Sequence, residues 1–150
     1  MAMITIAEAK EYLRQNFDKG ANCPCCTQFT KRYSRKLTSG MAVALINLYN
    51  ISDREYVHIE RLGRLNGGEF AQLAHWGLIE EKPNEDDGTK RTSGYWHITL
   101  RGVNFVKGST RVASHVYTFN GKRLGFSETS TDIHEALGKK FNYSELMGRV

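Results

Sequence analysis

Apolar residues recur along this chain at two spacings, one helical and one of strands. Ile6, Ala9, Leu13 and Phe17 follow at steps of three and four, the stripe of an amphipathic helix. Thr5 and Glu8 stand before it at capping-box spacing, and Gly20 suits its exit. A second helix is expected after Leu37-Thr38-Ser39, where Met41, Val43, Leu45, Ile46, Leu48 and Tyr49 leave almost no polar face. Such a helix belongs at the centre of a core. Asn50 to Asp53 should end it, and Tyr56 to Ile59 is short enough to be either a strand or the start of a helix. Asn66 to Phe70 opens a third helix. Phe70, Leu73 and Ala74 form its apolar side, Glu69, Gln72 and His75 point elsewhere, and Gly77 forms its left-handed exit.

Beyond Gly77 the strand period takes over. Leu78 to Glu80 turns extended, Lys82 to Gly94 is a polar loop, and Trp96 and Ile98 alternate with Tyr95 and His97 in a returning strand. Thr99 can cap a short helix from Leu100 to Lys107. Val112–Phe119 and Lys122–Phe126 flank Asn120-Gly121, the preferred two-residue type I′ turn, in a register that pairs Tyr117 with Leu124 and His115 with Phe126. Thr131 to Gly138 and Tyr143 to Met147 read as two short helices. The expected class is α+β in three segments: 1–38 with the first helix, a cysteine loop and a basic stretch; 39–108 as the central unit; and 109–150 with the hairpin and the last helices.

Composition narrows the function. The longest unbroken apolar run is Met41 to Ile46, far below the ~20 residues of a bilayer span, so no membrane association is expected. The first residues lack the basic and apolar regions of a signal peptide, and all three cysteines lie within Cys23 to Cys26. Together these suggest a reduced, cytoplasmic chain. The formal charge of +5 is unevenly spread: residues 89–125 hold seven bases and no acid, whereas residues 65–88 hold six acids and one base. A one-sided basic segment attracts polyanions, chiefly nucleic acid. A solvated face balanced by the acidic block is the other reading.

The run Phe70-Ala-Gln-Leu-Ala-His-Trp-Gly77-Leu-Ile-Glu80, followed by Tyr95-Trp-His-Ile-Thr99-Leu-Arg-Gly102-Val-Asn-Phe105-Val106, resembles the recognition helix, wing and closing helix of multiple-antibiotic-resistance-type winged-helix regulators. The likeness covers roughly Ser39 to Lys107. The whole chain also resembles small phage-encoded proteins. The resemblance implies a winged helix-turn-helix core in which residues 67–76 enter a major groove and residues 84–94 reach the neighbouring backbone.

The expected function is therefore non-catalytic binding of duplex DNA by a regulatory or accessory factor. The alternative is a protein-binding winged helix that modulates a host enzyme or defence complex. Phosphate contacts are expected from Lys90 and Arg91 in the wing, Arg101 after it, Lys122 and Arg123 in the hairpin, and Lys31, Arg32, Arg35 and Lys36 before the central helix. Read as a helix, those last four share one face. Gln72 and His75 are the candidates for base contacts. Cys23 and Cys26 have the spacing of half a zinc site, the second half of which is missing from the sequence; buried or idle thiols are the other reading. The chain lacks Gly-x-Ser-x-Gly, a P-loop, His-Glu-x-x-His and a dinucleotide fingerprint, so no enzyme is expected.

Overall fold

A computed structural model describes residues 4–52, 55–62, 70–83, 94–119 and 122–148. These form an α+β protein of short helices and antiparallel sheets. Helix α1 (Ile6–Asn16) begins at the capping box: the Glu8 amide donates to Thr5 Oγ1 at 3.1 Å, and the Thr5 hydroxyl reaches the Glu8 carboxylate. Its apolar stripe is only partly covered. Ala9 is buried and Leu13 and Phe17 are half-buried, whereas Ile6 stands 69% exposed. Helix α2 (Ser39–Ser52) starts where the Met41 amide donates to Thr38 Oγ1. It is the hub of the core: Met41, Ala42, Ala44, Leu45, Ile46 and Leu48 are all essentially inaccessible.

Around α2 lies a three-stranded sheet of β4 (Val57–His58), β5 (Ile79–Glu81) and β6 (Tyr95–Ile98). The order is β4-β6-β5, antiparallel throughout, so the last strand in sequence lies in the middle. Both sequence readings of the Tyr56–Ile59 segment are realised in part, since β4 runs directly into a 3₁₀ turn over Ile59–Leu62. Thr99 caps helix α3 (Leu100–Val106) through the Gly102 amide, while its hydroxyl donates to the Gly77 carbonyl. One side chain thus starts α3 and ties it to the turn before β5. Gly102 is where the two touch: a Cβ there would overlap the Leu78 carbonyl oxygen.

A second sheet joins the two ends of the chain. Strand β3 (Tyr33–Lys36) pairs antiparallel with β8 (His115–Phe119), which pairs with β9 (Lys122–Phe126). Most of the basic segment is therefore a strand, and the one-face arrangement that a helix would have given its four bases does not form. Its partner strand, remote in sequence, supplies the hydrogen bonds that a helix would have supplied locally. The hairpin forms, but its register differs from the expected one: Tyr117 faces Gly125 and Val116 faces Phe126. A bulge between Tyr117 and Thr118 places Leu124 outside the ladder, where it is 49% exposed. The turn residues 120–121 lie outside the described residues.

Two small ladders complete the chain. One is β1 (Ala21–Asn22) with β2 (Phe29–Thr30), and the other is β7 (Val112–Ala113) with β10 (Ser130–Thr131). Helices α4 (Ile133–Leu137) and α5 (Tyr143–Met147) are capped by Asp132 and Asn142. They press Ile133, Leu137 and Leu146 into the same core as α2. Asn50 donates to the Leu146 carbonyl, and the Tyr143 hydroxyl donates to that of Val106. The C-terminal segment thus shares one hydrophobic interior with the central unit.

Candidate functional site

The site is built on the turn before β5. Residues 70–71 are helical and continue as a 3₁₀ helix over Gln72–Trp76, tighter than the α-helix expected. The buried side chains are Phe70, Leu73 and Trp76; Ala74, expected to be apolar-facing, is exposed. Three residues per turn accounts for the exchange, because it brings 70, 73 and 76 onto one side. The Trp76 indole donates to the Ala113 carbonyl at 2.7 Å, and Gly77 closes the turn at φ 73°. With its apolar side held in this way, the turn leaves His75 half-exposed. Gln72, expected to point outward, has its side-chain oxygen buried.

Three arginines from three elements surround this turn. Arg123 of β9 donates to the His75 carbonyl at 2.9 Å. Burial holds the His75 imidazole below its ordinary pKa, and the nearby charges of Arg123 and of Arg35 in β3 add to the effect. Arg101, in the first turn of α3, sends its Cδ to within 3.8 Å of where a Gly77 Cβ would stand. Among the described residues no carboxylate pairs with any of the three. Cross-strand register puts Arg35 and Arg123 on one face of the second sheet, with Tyr33 and Phe126. Lys31 and Arg35 flank the Tyr33 ring at 5.4 and 5.8 Å, and Arg123 lies 5.3 Å over Phe126. These aromatic contacts hold long cationic side chains in place.

The remaining expected contacts are distributed elsewhere. Lys36, opposite His115, and Lys122, opposite Phe119, stand on the other face of that sheet. Arg32 also turns that way: it stacks 4.2 Å over Tyr117 and pairs with Asp18 at 2.6 Å. The single helical face drawn through Lys31, Arg32, Arg35 and Lys36 is therefore split in two by the strand. Arg111, part of the acid-free block, is engaged by both Glu135 oxygens and by Asp132. Lys90 and Arg91 lie outside the described residues, as do Glu69 and most of the expected wing. Sequence reasoning named Arg35, Arg101, Arg123 and His75 but could not join them. It passed over Tyr33 and Phe126 as companions of the cations; the period-two spacing of Lys31, Tyr33 and Arg35 was the available signal.

Two other regions carry chemistry. The hairpin β1–β2 holds the cysteines at its tip. The Cys25 amide donates to Cys23 Sγ at 3.4 Å, the Cys23 amide to the Gln28 carbonyl, and the Thr27 amide to the Cys23 carbonyl. Thr27 takes a left-handed φ of 65° to close this loop. Hydrogen bonds from the Cys26 and Cys25 amides and thiols hold the Cys23 thiol below its ordinary pKa. Cys25 and Cys26 are exposed and Cys23 is half-buried, so none is a core thiol. Separately, His97 and Glu80 meet at 2.9 Å beside an open cavity of about 330 Å³ bordered by Thr99, Leu100 and Val103. The other ring nitrogen of His97 lies 3.0 Å from the Ile98 carbonyl, so both are occupied within the fold. Among the described residues no helix is long and apolar enough to cross a membrane. The chain matches no protein-family model, and no curated protein or solved structure shows significant similarity to it.

Proposed function

We propose that this chain is a non-catalytic protein that binds duplex nucleic acid, with a winged helix at its centre. The observation that carries the reading is the gathering of Arg35, Arg101 and Arg123 around the Gln72–Gly77 turn, uncompensated by acids among the described residues. In a winged helix the element before the second strand enters the major groove. Here that element has no cation of its own between Phe70 and Gly77, and the arginines beside it supply the missing charge. The β4-β6-β5 order, with residues 82–94 as the connection between its last two strands, supports the winged-helix reading. The arginines would grip phosphates and set the register; His75 is the group able to face a base or a phosphate from the turn itself.

Fluorescence anisotropy against a random DNA duplex over a range of salt tests this. Wild type should bind with an affinity that falls linearly on a log–log plot, because phosphate neutralisation releases counterions. Arg35→Ala/Arg123→Ala should weaken all sequences alike and lower that slope by about 2, roughly one unit per lost phosphate contact. Undetectable binding of wild type at low salt, or binding indifferent to salt, refutes the proposal.

One observation favours a protein partner instead. The uncovered face of α1 borders an open apolar groove of about 310 Å³ lined by Lys10, Leu13, Arg14, Phe17, Thr30 and Phe119. A stoichiometric protein captured from nuclease-treated lysate, and lost on Leu13→Asp, would support that second reading.

A further inference from the structure

We infer that the Cys23–Cys26 loop is half of a shared zinc site, completed by the same loop of a second copy of this chain, with four thiolates around one metal. The argument begins with the shape of the loop. Cys23 and Cys26 stand three apart across a tight turn, and the ladder pairs Asn22–Phe29 and Ala21–Thr30 clamp the ends of that turn. An amide group already points at Cys23 Sγ, that of Cys25 at 3.4 Å. Such N–H donors stabilise a metal-bound thiolate and orient it, the usual role of the groups around a metal's ligands. The left-handed Thr27 turns the chain back immediately after the second cysteine, which keeps both side chains on the same tip. None of this is needed for packing, since all three thiols lie outside the hydrophobic core.

The ligand count then requires a partner. A structural zinc takes four ligands in a tetrahedron. Among the described residues no group of three or more histidine, cysteine or carboxylate side chains is gathered to hold a metal. All five histidines lie among those residues, in other parts of the fold. Among the described residues the loop therefore offers two thiolates and nothing gathered beside them to complete the tetrahedron. A second copy brings two more through a two-fold axis, the commonest symmetry of protein pairs. Charge favours contact at this point. From Asn22 to Phe29 there is no lysine, arginine, aspartate or glutamate, so two chains of formal charge +5 can meet there without opposing charged side chains. Cys25 is exposed beside the pair but has the wrong spacing for the same ion, so it is not assigned as a ligand.

The test uses the full chain, purified reduced, loaded with zinc and freed of excess. Metal content by mass spectrometry and molar mass by light scattering should give one zinc per two chains and a dimer that separates when zinc is chelated. Cobalt-loaded wild type should show the intense visible bands of a tetrahedral tetrathiolate site, a readout that needs no variant. Cys26→Ser should abolish the metal and the dimer while melting at the temperature of zinc-free wild type, below that of the zinc-loaded protein, and Cys25→Ser should retain both. One zinc per monomer, no retained metal, a dimer that survives chelation, or loss of metal on Cys25→Ser would each overturn the assignment. Nucleic-acid binding by the monomer is measured separately, so failure here leaves the preceding reading standing, and the reverse also holds.

Discussion

His75 stands where burial and two arginines all disfavour its charged form, so its folded-state pKa lies below the ordinary 6.5. As pH falls through about 6.5 the unfolded chain takes up this proton more readily than the folded one. Acidification therefore costs stability until the lower folded-state value is passed, and above that window the contribution vanishes because both forms are neutral. Urea unfolding at about pH 7.5 and 5.5 should show this loss, reduced in His75→Gln. A phosphate seated among Arg35, Arg101 and Arg123 reverses the local field. Duplex binding should then be accompanied by proton uptake and tighten at the lower pH, and His75→Gln should remove most of that difference. Equal affinity of wild type at both pH values would place His75 away from the bound anion. Gly102 marks another single-atom constraint. Gly102→Ala must push α3 away from Leu78, an overpacking change that typically costs about 1–3 kcal/mol, and its Tm should fall while Gly125→Ala, with open space at its Cβ, stays close to wild type.

At the scale of elements, the chain's beginnings and ends of helices are its most readable features. Thr5 accepts the backbone amide that capping-box spacing predicts, Gly77 has the left-handed backbone its position requires, and Thr38 and Asp132 accept the first-turn amides of helices whose starts the pattern marks. These are short-range facts, written within four residues of where they act. Thr99 belongs with them. Thr99→Ala removes both the α3 cap and the hydroxyl's bond to Gly77, and a loss of about 1–2 kcal/mol in urea melts is expected from the cap alone. What could not be read was β3. Four bases in six residues fit a helix or a strand equally, and the decision lies with β8, which stands far downstream. The bulge at Tyr117 is equally opaque, because one extra residue in a ladder leaves no mark in an alternating pattern. In the proposed binding mode residues 84–93 are tested separately: Lys90→Ala/Arg91→Ala should lower the salt slope by about 2 if they touch backbone. No change there, with a full effect at Arg35 and Arg123, would confine binding to the sheet side of the turn.

Across the whole molecule, one interior serves all three segments. Leu37, the α2 residues, Val116, Ile133, Leu137 and Leu146 belong to a single buried cluster. That cluster has members on both sides of residues 38 and 108. Leu137→Ala should therefore cost about 2–5 kcal/mol, as for other large buried deletions. Ending the chain at residue 130 should leave α2 uncovered and give protein that aggregates instead of folding, checked by light scattering of the soluble fraction. The candidate site was legible as a list of cations and illegible as a place, because Arg35, Arg101 and Arg123 come to the Gln72–Gly77 turn only through packing that joins distant parts of the chain. The pairing of β3 with β8 has a consequence during synthesis. The first basic strand leaves the ribosome early, but its partner is not yet made, and long-range pairings of this kind close slowly. Until the hairpin emerges, Arg35 is present without its place in a sheet, and Arg123, which the hairpin carries, is not yet made. A chain at that stage carries part of the positive charge but not the geometry that the paired strands give it. If the chain binds duplex as proposed, docking in one defined orientation waits on the closing of the second sheet.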